Sequence, residues 1–343
     1  MSPSEFRETA RKKVLNEEQQ ELLSRKICDL SLKIQGTRLE ALIGKLYQEL
    51  ENAGVSFKPK TYLADEWGCP HEVPVIGIPF YLANPELSKL EGELTGIEAE
   101  EESEVMLYLR HEAGHAFNYA YRLYRKPEWR QLFGRFSQPY QENYQPVPFS
   151  AKFVRHIPGW YAQKHPDEDF AETFAVWLTP SSDWQKQYAD TPALAKLIYV
   201  DKMVRKYGQK PPIVTDEKLD TPVQELTMTL DRWYETGRDT DHVSINLHRT
   251  LNNDLRRLFP AEQGQPAVDV IRANRKQLIR EVNHWTGINR EFLRALIDEL
   301  LERIQFLELK IKPEQIAAQM VSVSVFITTL VINYLYRGQF VDT

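Results

Sequence analysis

Two histidines one helical turn apart constrain this chain more than any other feature: His111 and His115, in the stretch YLRHEAGHAFNY (residues 108–119). On an α-helix, residues four apart lie one above the other, so both imidazoles can point at one ion. Glu112 sits at nearly the level of His111 but about 100° around the helix. That offset keeps it off the ion and leaves it able to reach a bound water, the position of a general base. Met106, Leu109, Ala113, Phe117 and Ala120 form an apolar stripe suited to the core, which leaves the histidines a face of their own. Gly114, in mid-helix, is costlier than alanine by about 1 kcal/mol and suggests a close approach or tight packing. With eight histidines in the chain, such a grouping can also arise by chance on an amphipathic helix, so its context has to decide.

A catalytic zinc takes three protein ligands and leaves a fourth position to water. One common arrangement continues the histidine helix into a glycine and a third histidine. Here the continuation is AFNYAYRLY, which has neither. The other arrangement draws a carboxylate from a second helix, and DEDFAETFAVWL (167–178) offers one. Glu168 and Glu172 share a helical face, so the first can bind zinc while the second accepts a hydrogen bond from a ligand imidazole. Asp169 competes for the ligand position but points about 100° away, and its partner four residues on is Thr173, a poorer acceptor.

The rest of the chain supplies the frame. At 343 residues, 42% hydrophobic and 27% charged, it is long and apolar enough for one large or two ordinary domains. A helical pattern from Glu17 to about Asn52 repeats Leu39, Leu42, Ile43, Leu46 and Leu50 at three- and four-residue steps, and Gly54 ends it. Short aromatic and β-branched runs broken by Pro and Gly from Phe57 to Leu82 predict strands; Pro79 confines the strand Val75–Leu82 to an edge or a strand end. An acidic stretch, Glu98–Glu104, precedes the histidine helix, expected over about Ser103–Tyr124, and suits its N-terminal dipole. An irregular, Pro-punctuated connection from Pro127 to Pro158 then leads to the second site helix. After about Thr240 the chain is mainly helical, with Leu293, Leu296, Ile297, Leu300, Ile304 and Leu307 lining one face. The fold class is therefore α+β, with a site-bearing domain over 1–240 and a helical C-terminal domain over 241–343, divided near Gly237–Asp241.

The net charge of −6 and the lack of any Lys/Arg block give no attraction to phosphate backbones, so nucleic acid is not an expected partner. Two separated cysteines, Cys28 and Cys69, provide no disulfide framework, and the charged N-terminus has no apolar stretch of the secretory kind; both point to the cytoplasm. Residues 316–336 carry no charge over about the length of a bilayer-spanning helix. Gln319, Ser322, Ser324, Thr328, Thr329 and Asn333 dilute that run, which favours a helix buried in a domain over a membrane span.

HEAGH followed by EDFAE resembles the glutamate-ligand zinc peptidases, the gluzincins, within the zincin fold. YLADEWGCPHEVPVIGIPFYLANP (62–85), RHEAGHAFNYAY and HPDEDFAETFAVWL resemble the shared blocks of a bacterial family of zinc-binding metallopeptidases, over about Leu30–Leu178. The resemblance implies a Zn2+ cofactor held by His111, His115 and Glu168, Glu112 as general base, and a peptide or protein substrate laid along an edge strand, for which Val75–Leu82 is the candidate. The second helix also resembles that of anthrax lethal factor and its relatives, in which a tyrosine seven residues ahead of the ligand glutamate stabilises the transition state. Tyr161 holds that position, and a phenol can donate to a developing oxyanion. His156 and His165 could assist the oxyanion or face solvent. Two other readings stay open: a zinc-stabilised interaction protein without catalysis, and a metal-free helical scaffold.

Overall fold

The structure is a computed structural model that describes residues 17–95, 101–140, 146–239, 247, 251–338 and 340. Helices α1 (Glu17–Ser24) and α2 (Arg38–Asn52) lead into strands β1 (Lys60–Ala64) and β2 (Val75–Pro79). Helices α3 (Pro85–Thr95), α4 (Glu102–Ala120) and α5 (Pro127–Phe133) follow, then α6 (Pro166–Leu178), the short α7 (Trp184–Gln187), α8 (Ala193–Tyr207) and α9 (Leu230–Asp239). The C-terminal part holds α10 (Leu251–Leu258), β3 (Gln265–Pro266), α11 (Ala267–Ala273), α12 (Arg275–Thr286), α13 (Arg290–Phe306), β4 (Lys310–Ile311) and α14 (Ile316–Arg337). The architecture is α+β as expected: mostly helical, with a small sheet and a helical C-terminal region.

The described residues group into two compact units that interleave along the chain. One draws on Met1–Trp129, Trp177–Ser182 and Ile198–His242, the other on Arg130–Val176, Asp183–Leu197 and Val243–Thr343. Part of the expected division near Gly237–Asp241 lies at residues 240 and 241, outside the described residues.

In the first unit, β1 and β2 pair in parallel, from Lys60 opposite Val75 to Ala64 opposite Pro79. The connection between them folds back on the sheet: Gly77 N–H donates to Gly68 C=O (2.8 Å), and Gly68 N–H donates to Gly77 C=O (3.4 Å). Both polar groups of one strand residue point to the same side, so Gly68 closes the edge of β2 that faces away from β1. A side chain at Gly77 would lie 3.1 Å from Ala64 Cβ and 3.2 Å from Gly68 O, a spacing only glycine fills comfortably. Pro79 ends the strand, and the expected strand residues beyond it, Phe80–Leu82, lie in a 3₁₀ turn, Phe80–Ala83, instead.

Helix α2 buries Leu39, Leu42, Ile43, Leu46 and Leu50, and Thr37 caps it by accepting from Leu39 N–H (3.2 Å). The single helical stretch expected from Glu17 to Asn52 is interrupted because Ile27 and Cys28 give their N–H groups to the carbonyls of Met228 and Leu226, and Gly36 turns at φ 76°. Helix α4 starts on a capping box in which Glu101 and Glu104 each accept the other's backbone N–H. Of the acidic stretch expected there, residues 98–100 lie outside the described residues. The helix ends before Tyr124 because Arg122 takes a left-handed conformation, and Asn118 Oδ1 accepts from Tyr124 N–H (3.0 Å) to hold the turn.

In the second unit, one apolar cluster gathers residues from Leu247 to Val331, including Leu293, Leu296, Ile297, Leu300 and Ile304, the face expected of α13. Strands β3 and β4 pair antiparallel over two residues each. Helix α14 joins this cluster through the buried Val323, Ile327, Leu330 and Val331, with Ile316, Met320, Phe326, Tyr334 and Leu335 partly buried against it. Among the described residues one helical segment, Pro313–Arg337, is long and apolar enough to cross a membrane, with mean hydropathy 1.8 and 22% of its window buried. The expected deep burial of residues 316–336 is thus limited to one face, and Val321 and Val325 stand exposed. The hydroxyls that dilute the segment bond back along the helix, Thr328 to Ser324 C=O (2.7 Å) and Thr329 to Val325 C=O (2.9 Å), so they sit on a helix without seeking other partners.

Candidate metal centre

Helix α4 is buried on every side from His111 to Ala120, which removes its histidines from water. His111, Glu112 and His115 are 2%, 5% and 6% exposed. The two imidazoles stand at 73° to one another with ring centres 4.8 Å apart. Their Nε2 atoms face each other at 3.1 Å. Two nitrogens each bound to one tetrahedral zinc at about 2.0–2.1 Å lie ~3.3 Å apart. The pair therefore has the spacing of ligands to a shared ion.

Arg110, directly before His111, donates two hydrogen bonds to the Glu49 carboxylate on α2, both 2.8 Å. With side-chain exposures of 13% and 7%, this is a bidentate pair in a largely dry setting, which fixes α4 about its axis. The β1–β2 connection touches the same helix twice: Trp67 stacks on Tyr108 with ring centres 5.6 Å apart, and Cys69 Sγ donates to the Glu112 carbonyl (3.3 Å).

Helix α6 opens with Pro166 at its first position, where a missing N–H costs nothing, followed by Asp167, Glu168 and Asp169 at the positive end of the helix dipole. His165 caps it. Its Nδ1 accepts from Asp167 N–H (3.1 Å), which leaves Nε2 to donate to the Gln138 carbonyl (2.9 Å), and its ring stacks on Tyr140 at 4.0 Å. His165 is buried and serves the helix that carries Glu168, rather than facing solvent.

The donor atoms of His111, His115 and Glu168 all lie within 4.8 Å of one another, and all three residues are buried. Two neutral imidazoles and one carboxylate form the donor set of a catalytic zinc site. The competitor Asp169 turns elsewhere: its Oδ2 accepts from Lys196 Nζ at 2.6 Å. Burial pushes the Asp169 carboxyl up to about 7, and the Lys196 ammonium acts against that rise. Glu172 is fully buried, and its Oε2 accepts the backbone N–H groups of His156 (3.1 Å) and Ile157 (2.9 Å). It thereby ties to α6 the segment that runs on to Tyr161. Tyr161 begins a short 3₁₀ turn, half-buried, after Gly159 at φ 100° and Trp160 at φ 60°. Lys164 Nζ lies 5.5 Å from the Tyr161 ring centre.

Three of these supports escape the sequence patterns: the Arg110–Glu49 pair, the His165 cap and the Lys196–Asp169 pair. The last left a trace, since Lys196 falls at helical spacing among Ala193, Leu197 and Val200, a lysine on an otherwise buried face.

Residues 89–240 match the family model described as "Putative zinc-binding metallo-peptidase". No curated protein and no solved structure matches the chain. The matched span contains the three converging donors together with Glu112, Tyr161, His165, Glu172 and Lys196. The likeness to that metallo-peptidase family extends over residues 89–240 of this chain.

Proposed function

We propose that the chain is a zinc-dependent peptidase that hydrolyses peptide bonds in peptide or protein substrates. The observation that carries the proposal is the convergence of His111, His115 and Glu168 on a spot buried enough to strengthen every charge interaction made there. A zinc ion held by these residues supplies Lewis acidity and brings the pKa of a water toward about 7.

The chain's own groups do the rest. Glu112, one residue from His111 and rotated off the ligand face, takes a proton from the attacking water and delivers it to the departing amine. The Tyr161 phenol donates a hydrogen bond to the carbonyl oxygen as negative charge gathers on it. Glu172 accepts from a ligand imidazole with the carboxylate capacity it does not spend on the backbone N–H groups of His156 and Ile157; two oxygens offer about four acceptor positions. An extended substrate that pairs with β2 does so beyond Gly77, whose outer edge Gly68 already occupies. The helical C-terminal domain, 241–343, is part of the same proposal and draws support from the apolar cluster of Leu247–Val331. A cytoplasmic location draws support from Cys28 and Cys69, neither of which is in a disulfide.

The test is Glu112→Gln against the native chain on a peptide library, with bound zinc measured in both. The expected result is unchanged zinc content and cleavage slower by about 10²–10⁴-fold, the usual contribution of a positioned general base. Equal cleavage by both would remove Glu112 from the mechanism. Zinc uptake without cleavage by either would favour a structural ion in a binding protein.

A further inference from the structure

The reaction proposed above uses neither Lys196 nor Asp169, yet the pair is enclosed, with side-chain exposures of 9% and 2%. Lys196 Nζ donates to Asp169 Oδ2 (2.6 Å) and to the Lys152 carbonyl (2.7 Å), and it lies 4.3 Å from the centre of the Phe153 ring. An ammonium has three protons to place, and here a carboxylate, a carbonyl and an aromatic face receive it. Three segments meet at one charge: α8 with Lys196, α6 with Asp169, and the connection at Lys152 that continues to Tyr161.

We infer that Lys196 is a positioning residue for the metal ligand Glu168, fixing the rotation of α6 through Asp169 and the path toward Tyr161 through the Lys152 carbonyl. The inference rests on the reading of Glu168 as a ligand.

Geometry makes the case. Glu168 and Asp169 are successive residues on one helix, so whatever holds the second about the helix axis holds the first. A carboxylate about 5 Å from that axis moves ~1 Å for a rotation of ~10°. Metal–ligand distances tolerate only about 0.2 Å. A few degrees of freedom in α6 would therefore loosen the grip on the ion. A well-packed apolar pair would hold the two helices together as firmly as a buried ion pair does, so stability gives no reason for charge here. What the charge adds is direction, since a short charge-assisted bond fixes where an oxygen lies. Helix α4 has the same device by an independent route: Arg110, the residue before His111, is pinned by Glu49. Each ligand-bearing helix thus has an ion pair on the residue adjacent to a ligand.

The experiment measures zinc affinity of the full chain by competition with a chromophoric chelator, alongside thermal midpoints of the metal-free protein. The variants are Lys196→Met, which strands the Asp169 carboxylate, and the double variant Lys196→Met with Asp169→Leu, which replaces the pair by apolar side chains. The double variant is expected to regain the thermal midpoint of the wild type while binding zinc about 10–100-fold more weakly, the usual loss when a support of a ligand is removed. If Lys196→Met does not fold, the double variant decides alone. A loss of less than fivefold in the double variant would show the pair to be packing only and would overturn the inference. A wild-type chain that takes up no zinc would remove the ligand reading itself, and the inference with it.

Discussion

His165 shows how one residue can carry chemistry of a different kind from what its neighbourhood suggests. Lying between Tyr161 and Glu168, it invites a catalytic role, yet both ring nitrogens are engaged: Nδ1 caps α6 and Nε2 reaches the Gln138 carbonyl. Loss of an N-cap costs about 0.5–2 kcal/mol. His165→Ala is therefore expected to lower the unfolding free energy by ~1 kcal/mol in a denaturant titration, and His165→Asn, a strong capping residue, to recover most of it. An equal loss in both variants would show that ring stacking on Tyr140, rather than the cap, is what His165 contributes. The candidate metal-holding histidines could be singled out from local spacing, because the geometry of a helix fixes which of His111, Glu112 and His115 share a face. The role of His165 was not, since a cap depends on where the helix starts, and Pro166 marks that start only after the helix is known to be there.

At the scale of elements, α2 agrees with its sequence pattern, α5 (Pro127–Phe133) forms inside the stretch expected to be an irregular connection, and the breaks depend on distant partners. Leu39, Leu42, Ile43, Leu46 and Leu50 are buried along α2 as their spacing predicts. The interruption before α2 could not be read, because it depends on the carbonyls of Leu226 and Met228, far along the chain. Helix α14 is the sharper case. Composition alone predicts a buried helix or a membrane span; the structure gives a helix with one face on the C-terminal cluster and the other open. Ile327 is 1% exposed and Val325 61%. Truncating a buried isoleucine costs about 2–5 kcal/mol, whereas an exposed apolar residue away from special features stays within about 0.5 kcal/mol. Ile327→Ala should destabilise the purified chain by that larger amount and Val325→Ala should not, measured by equilibrium unfolding. Two indistinguishable variants would mean that α14 does not dock on this cluster.

At the scale of the whole molecule, the candidate donors come from two helices, buried imidazoles on α4 and a carboxylate on α6, and in each helix the residue next to one of them is held in an ion pair. The family match spans residues 89–240 and so covers both helices. The pairing of HEAGH with EDFAE was legible because each motif is local. Their approach to within 4.8 Å was an expectation that only the fold could supply. The most direct test of the arrangement is a crystal structure of the zinc-loaded chain with the ion located by its anomalous scattering. The account predicts one strong peak about 2.0–2.2 Å from His111 Nε2, His115 Nε2 and a Glu168 oxygen, the bonding range of zinc to these atoms. A peak that leaves Glu168 outside bonding distance, or that lies on other residues, would contradict it.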